Sequence, residues 1–329
     1  MTCHTPVPYR VGDYNSLTGK FKNIVLPRTP ENLAATALRF PCGGCKGCRI
    51  DSSRQKAIRI EHEVQTQRED GKGSCFITLT YAPEHLPMLG NTGVSTLVQE
   101  DWAAFMKRLR RRINNPSDRF FVSSDLKIRQ VYCGEYGDNF GRPHFHGILF
   151  GYDFPDKYYA PECNRNRKAN ADPLFRSEFL EELWPYGHST IGAATWQSGA
   201  YVARYVMKKV TGKAALAHYQ VIDPETGEVF DRKPEFNVIG NGIGLDWFNR
   251  YGIPDVYPAG QVITKAGKRM KPPRYYDSKY EEINPEDMWR LREQRMAATA
   301  ANRDDNTEAR LFVKSKVLEA RLKMLKRVL

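Results

Sequence analysis

Two β-prone runs, KIRQVYCGEYG at 127–137 and HFHGILFG at 144–151, flank the turn-prone stretch DNFGRP. A Gly-, Pro- and Asn-bearing connection between such runs predicts a β-hairpin. Side chains alternate along a strand, so His144 and His146 share one face. Glu135 sits just before the turn on the partner strand, near enough to add a carboxylate. Two imidazoles and one carboxylate leave coordination positions open for water and a phosphate oxygen. That set suits Mg²⁺ or Mn²⁺, and zinc could also occupy it. By spacing alone, two polar side chains with unrelated partners are an equal reading.

FITLTY, residues 76–81, is β-branched and aromatic and reads as a buried strand. Arg49 to Arg68 lacks Gly and Pro and reads as a helix. Ser95 is placed to cap the next helix, in which Val98, Trp102, Phe105, Met106, Leu109 and Ile113 recur at helical spacing. Leu174 to Trp184 is expected to be a short helix, and Gln197 to Val210 another. In the latter, Tyr201 and Tyr205 are i, i+4 and share a face, with Lys208 one turn on and Arg204 beside them. A tyrosine hydroxyl is a poor nucleophile unless its target is activated, so this pair by itself does not indicate catalysis. Residues 1–40 read as irregular, and the tail from Pro285 as helical. Its Leu311, Leu318, Leu322, Leu325 and Leu329 form an apolar stripe, read as packing on its own domain before a dimer seam.

Lys and Arg total 50 against 38 Asp and Glu, a net charge of +12 that favours a polyanionic partner. Candidate DNA contacts are Arg110, Arg111 and Arg112, Arg204, and the segment from Lys265 to Tyr276. The last holds Lys268, Arg269, Lys271 and Arg274, followed by Tyr275 and Tyr276 as possible base platforms. No apolar run is long enough to span a membrane, and MTCHTPVPYR lacks a secretory core, so the chain is expected to work in the cytoplasm. GKGSC and TGKAA both fail the phosphate-loop pattern, so no NTPase of its own is expected.

Cys42, Cys45 and Cys48 form C-x-x-C-x-x-C among seven cysteines. In a reducing compartment this spacing suggests metal, and a closed structural zinc site needs a fourth ligand. Cys3 is the first choice, with His4 or His62 as substitutes. An iron–sulfur cluster and three free thiols are the other readings.

Three elements thus stand in a fixed order: FITLTYAPEHLP, then GEYGDNFGRPHFHG, then YVARYVMKK. This order resembles the HUH superfamily of replication-initiator endonucleases: an apolar strand, a His-hydrophobic-His strand and a tyrosine helix with a nearby lysine. The Tyr-x-x-x-Tyr form, together with PCGGCKGCRIDSSRQKAIR, is similar to the replication initiation proteins of gokushoviruses (microviruses). The resemblance implies an α+β fold, with an antiparallel sheet, the HUH strand central, and helices flanking it. It implies an N-terminal Cys-rich extension over 1–70, an endonuclease domain over 71–215 and a basic C-terminal region over 216–329. His144, His146 and Glu135 become ligands of a catalytic Mg²⁺ or Mn²⁺, Tyr201 and Tyr205 alternating nucleophiles, and Lys208 an assistant. Thr78 and Thr80 would support the site from the neighbouring strand. The implied reaction nicks and rejoins single-stranded DNA through a 5′-phosphotyrosine, starting and ending rolling-circle replication of a small phage genome. Its partners would be viral origin DNA, single-stranded or as supercoiled duplex, and a host helicase and polymerase in the bacterial cytoplasm. Rival readings are an HUH relaxase or transposase, and a zinc-bearing nucleic-acid-binding protein without catalysis.

Overall fold

Ser74–Tyr81 (β1) alternates half-buried and buried residues along its whole length, as a strand between two unlike layers must. The computed structural model describes residues 3–324 apart from 17–19, 37, 139, 166, 168–170, 205–208, 211, 213, 265–266 and 303. β1 joins a seven-stranded sheet with Arg129–Tyr136 (β2), Pro143–Phe150 (β3), Tyr158–Tyr159 (β4), Phe175–Arg176 (β5), Gly187–Ala193 (β6) and Phe236–Ile239 (β7). The order is β7-β2-β3-β1-β6-β5-β4, and every neighbouring pair is antiparallel. The expected hairpin is β2–β3, with Glu135 directly opposite His144. β3 is interior, one place from the middle strand β1.

The two faces of the sheet carry separate cores. Cys75, Ile77, Leu79 and Tyr81 of β1 and Phe145 and Leu149 of β3 face one side. There they meet Trp102, Phe105, Met106 and Leu109 of helix Gln99–Ile113 (α2) and Phe179, Leu180 and Leu183 of Glu178–Leu183 (α3). The other side brings Val131, Cys133, Ile148 and Phe150 against Ile60 and Val64 of Lys46–Glu69 (α1) and Val202 of Trp196–Arg204 (α4). With Arg49–Arg68 read as a helix, α1 extends a few residues further at its start and one at its end.

Three expectations need correction. Ser95 does not cap α2: the helix starts at Gln99 after Val98, without a side-chain cap, and Glu100 and Asp101 in its first turn complement the helix dipole instead. Ser95 is used through its carbonyl, which accepts from Arg232 Nε at 2.8 Å. The short helix expected from Leu174 begins at Glu178, because Phe175 and Arg176 pair into the sheet and the Ser177 hydroxyl caps at Leu180 N–H. Residues 1–40 are not irregular: Val7–Asn15, Lys20–Val25 and Arg39–Phe40 form a three-stranded antiparallel sheet, and Tyr9 stacks on Phe40 with ring centres 3.8 Å apart.

Two compact units result, one of 1–52 with 284–329, the other of 53–283. The first holds the small sheet, helices Pro285–Ala301 and Glu308–Met324, and an ion pair from Lys46 to Glu319 at 3.0 Å. Leu311 is buried there and Leu318 and Leu322 are half-buried; Leu325 and Leu329 lie outside the described residues. The second unit contains the whole seven-stranded sheet, including β7 from the segment beyond 216.

Gly147, between His146 and Ile148, explains how α2 lies so close to β3. A Cβ there would stand 2.1 Å from Cη2 of Trp102, whose ring stacks on Tyr132 at 4.6 Å. Gly147→Ala should therefore cost about 1–3 kcal/mol through overpacking, read as a lower denaturation midpoint. An unchanged midpoint would contradict this packing.

Candidate active site

The hairpin register sets the geometry. Glu135 Oε1 lies 2.7 Å from His144 Nε2 and 3.0 Å from His146 Nε2. The carboxylate is buried, with 2% of its surface exposed, and His146 is buried beside it. His144 Nδ1 donates to the Arg142 carbonyl at 3.0 Å, which leaves Nε2 of the neutral ring as a lone pair aimed at a carboxylate oxygen. Two electron-pair donors at that separation need a proton or a cation between them. Burial alone would raise the Glu135 carboxyl, but hydrogen bonds from His144 and His146 outweigh it and hold the group at about 2. His146 is oriented in turn: its Nδ1 lies 2.9 Å from the Thr78 hydroxyl on β1, and Phe76 stacks on its ring.

The tyrosine helix docks over this cluster. The Thr195 hydroxyl accepts from Ser198 N–H while the Ser198 hydroxyl accepts from Thr195 N–H, a reciprocal cap on its first turn. Gly199 allows close approach to α1, since a Cβ there would stand 2.7 Å from Ile60 Cγ2. Asn237 of β7 donates to the Val202 carbonyl at 2.8 Å and accepts from the buried Lys56 at 2.6 Å. The outcome is that the Tyr201 hydroxyl reaches 3.3 Å from Glu135 Oε1 and 3.4 Å from His146 Nε2. Tyr205, Lys208 and the side chain of Arg204 lie outside the described residues.

Glu135, His144 and His146 offer donor atoms all within 4.8 Å of one another, a set able to hold one divalent cation. Cys3, Cys42, Cys45 and Cys48 do the same in the first unit. The Cys42–Cys48 and Cys3–Cys45 sulfurs are 4.0 and 3.9 Å apart. A tetrahedron of thiolates about 2.3 Å from zinc has edges of roughly 3.8 Å, so the spacing fits zinc far better than a disulfide. Backbone N–H groups of Cys42 and Cys45 donate to the Cys3 and Cys42 sulfurs at 3.2 and 3.3 Å, and His4 N–H donates to Cys45. Of the three fourth-ligand candidates, the chain brings Cys3. His62 is instead stacked on Trp247 at 3.4 Å and bonded to the Tyr276 hydroxyl at 2.9 Å, in the second unit.

The expected DNA contacts are spread more widely. Arg110, Arg111 and Arg112 ride on α2, across the sheet from the His/Glu cluster. Arg110 donates to the Ile128 carbonyl, and Arg112 is held by Asp118 and Glu182. Lys268, Arg269, Lys271 and Arg274 are exposed on a short hairpin and the turn after it. Tyr276 is no base platform: it is fully buried, and Tyr275 lies under the Arg59 guanidinium at 3.8 Å. The sequence reading passed over His188 on β6, Asn237 and Lys56. Their signal is strand pairing across the fold, which no local motif carries.

A family model for the phage replication-associated protein ORF2 matches residues 74–210, from β1 through the tyrosine helix. Replication-associated protein VP4 of Bdellovibrio phage phiMH2K is 31% identical over 249 residues, covering 75% of this chain and 69% of that protein. The chain belongs to this family of replication-associated proteins. Other members are similar: replication-associated protein ORF2 of Spiroplasma virus 4 at 29% identity, covering 73% of this chain and 67% of its own, and ORF4 of Chlamydia phage 1 at 29%, covering 75% and 55%. No solved structure matches the chain. The family match agrees with the resemblance to phage replication initiators read from the three motifs. Among the described residues, no helix is long and apolar enough to cross a membrane.

Thr78 offers a test of the cluster as a metal centre. Outer hydrogen bonds to ligating imidazoles are worth about 10–100-fold in metal affinity. Thr78→Val should weaken Mn²⁺ binding by that order in titration calorimetry, with melting temperature little changed. Equal affinity would contradict a ligand role for His146.

Proposed function

We propose that this phage replication protein nicks and rejoins single-stranded DNA at the viral origin, with Tyr201 as a nucleophile and Glu135, His144 and His146 as ligands of a Mg²⁺ or Mn²⁺ ion. The observation that carries the reading is the Tyr201 hydroxyl within 3.4 Å of both Glu135 and His146, on a helix pinned from three sides. A bound divalent cation would withdraw charge from the scissile phosphate, which a weak phenol nucleophile requires. Everything else is asked of the chain itself. The Tyr201 oxygen forms a bond to phosphorus as the bond from phosphorus to the 3′ oxygen breaks. The phenol proton passes to an acceptor at Glu135 Oε1 or His146 Nε2, and the departing 3′ oxygen takes up a proton. The 5′ phosphate stays on the tyrosine, and the free 3′-OH primes synthesis. Rejoining reverses the step, with a 3′-OH attacking the phosphotyrosine.

Tyr205, one turn along from Tyr201, is the second nucleophile of this scheme, and Lys208 neutralises charge on the phosphate. Cys3, Cys42, Cys45 and Cys48 hold a structural zinc. Strand separation and synthesis fall to a host helicase and polymerase, in the cytoplasm of the bacterial host.

The test is incubation of the protein with single-stranded viral DNA carrying the origin and Mn²⁺, followed by denaturing electrophoresis. A covalent protein–DNA adduct is expected from the wild type and none from the Tyr201→Phe, Tyr205→Phe double variant. Adduct from the double variant at wild-type level would refute the assignment.

A further inference from the structure

The strand registers extend the site beyond its three candidate ligands. Glu135 opposes His144, His144 opposes Thr80, and Thr80 opposes His188, giving one row across β2, β3, β1 and β6. The next row is Cys133, His146, Thr78 and Thr190. Directly opposed residues in antiparallel strands project from the same face, so Thr80, Thr190 and His188 share the face of the triad. The burial of their neighbours agrees, because Leu79, Ser189 and Ile191 are buried on the opposite face.

Cover changes along this row. Glu135 is buried, His144 and Thr80 are half-buried, and His188 is exposed. Helices α1 and α4 roof the β2–β3 half, whereas the β1–β6 half presents two threonine hydroxyls and an imidazole to solvent. With strands about 4.8 Å apart, the His188 backbone lies roughly 10 Å from that of His144. His188 is also held rigidly. Gly187 just before it has φ +152°, and a Cβ there would stand 2.3 Å from Ala82 N and 2.5 Å from the Thr80 carbonyl. Only glycine lets β6 enter the sheet so close to β1, and the tight entry fixes where the next residue projects.

The β1–β6 positions of the two rows, Thr78, Thr80, His188 and Thr190, carry hydrogen-bond donors and no carboxylate, in a chain of net charge +12. A DNA strand with its scissile phosphate at the triad must leave the site past uncovered surface, and this is the uncovered side of the same face. We propose that single-stranded DNA runs from the triad over Thr80 and Thr190, and that His188 hydrogen-bonds a phosphodiester adjoining the scissile one. The inference rests on the nicking reading above and names a contact that reading does not need.

The experiment measures binding of fluorescein-labelled oligothymidylate by anisotropy in EDTA, so that no cleavage intervenes, with His188→Ala, His188→Gln, His188→Arg and His188→Glu. Loss of one hydrogen bond to a phosphate should weaken binding by about three- to tenfold in His188→Ala. His188→Gln should recover part of that loss, His188→Arg should bind at least as well as wild type, and His188→Glu should bind worst. Ser117→Arg and Ser117→Glu make like charge changes in the exposed turn after α2, on the opposite face, and should stay within about twofold of wild type. Equal affinity across the His188 series, or a Ser117→Glu loss as large as that of His188→Glu, would overturn the proposal. The adduct assay on wild-type protein is read separately. Failure to form adduct refutes nicking, whereas the His188 series decides the DNA path.

Discussion

Everything at this site depends on one carboxylate held between two imidazoles. Glu135 and His144 are directly opposed in the hairpin, and His146 follows two residues on, so the three donors converge through strand register alone. A slip of one residue in the β2–β3 pairing would send Glu135 to the opposite face, among Phe145 and Leu149. The surroundings guard that register. β3 is paired on both sides, the apolar residues between the polar ones are buried against α2, and Gly147 lets Trp102 close over the strand.

The two faces of the sheet divide the labour. One is filled by α2 and α3 and gives the sheet its stability. The other is roofed over half its width, by α1 and α4, and left open over the rest. Placing the tyrosine on the roof lets its hydroxyl descend on the cluster from above, while the floor beside it stays free for a substrate strand. The cysteine cluster serves a different purpose, tying the N-terminal residue Cys3 to the loop 42–48 in a unit that otherwise has a small sheet and few buried side chains.

Much of this was legible in the sequence wherever the signal is local. H-x-H on an apolar strand, Glu135 before a turn, FITLTY and the helical spacing of Trp102 to Ile113 each follow from periodicity within one element. The family match likewise covers the stretch that holds the three motifs. What was not legible depends on pairing between distant segments. Phe236–Ile239 is a four-residue strand, too short to announce itself, yet its Asn237 holds the tyrosine helix. His188 is an ordinary residue in YGHST until Thr80 places it in the row of His144. Residues 1–40 are rich in turn formers, which hid a hairpin whose partner, Arg39–Phe40, lies some thirty residues on. Tyr276 followed a basic run and looked like a platform, but the demand of the His62 and Trp247 stack for a buried ring prevailed.

The central claim is that His144, His146 and Glu135 bind a cation as one set. Pulsed electron paramagnetic resonance of the Mn²⁺-loaded protein tests it most directly, by counting the imidazole nitrogens coupled to the metal. The account predicts coupling to the nitrogens of two imidazoles, with one lost in His144→Ala. A Mn²⁺ spectrum with water ligands and no nitrogen coupling would contradict it.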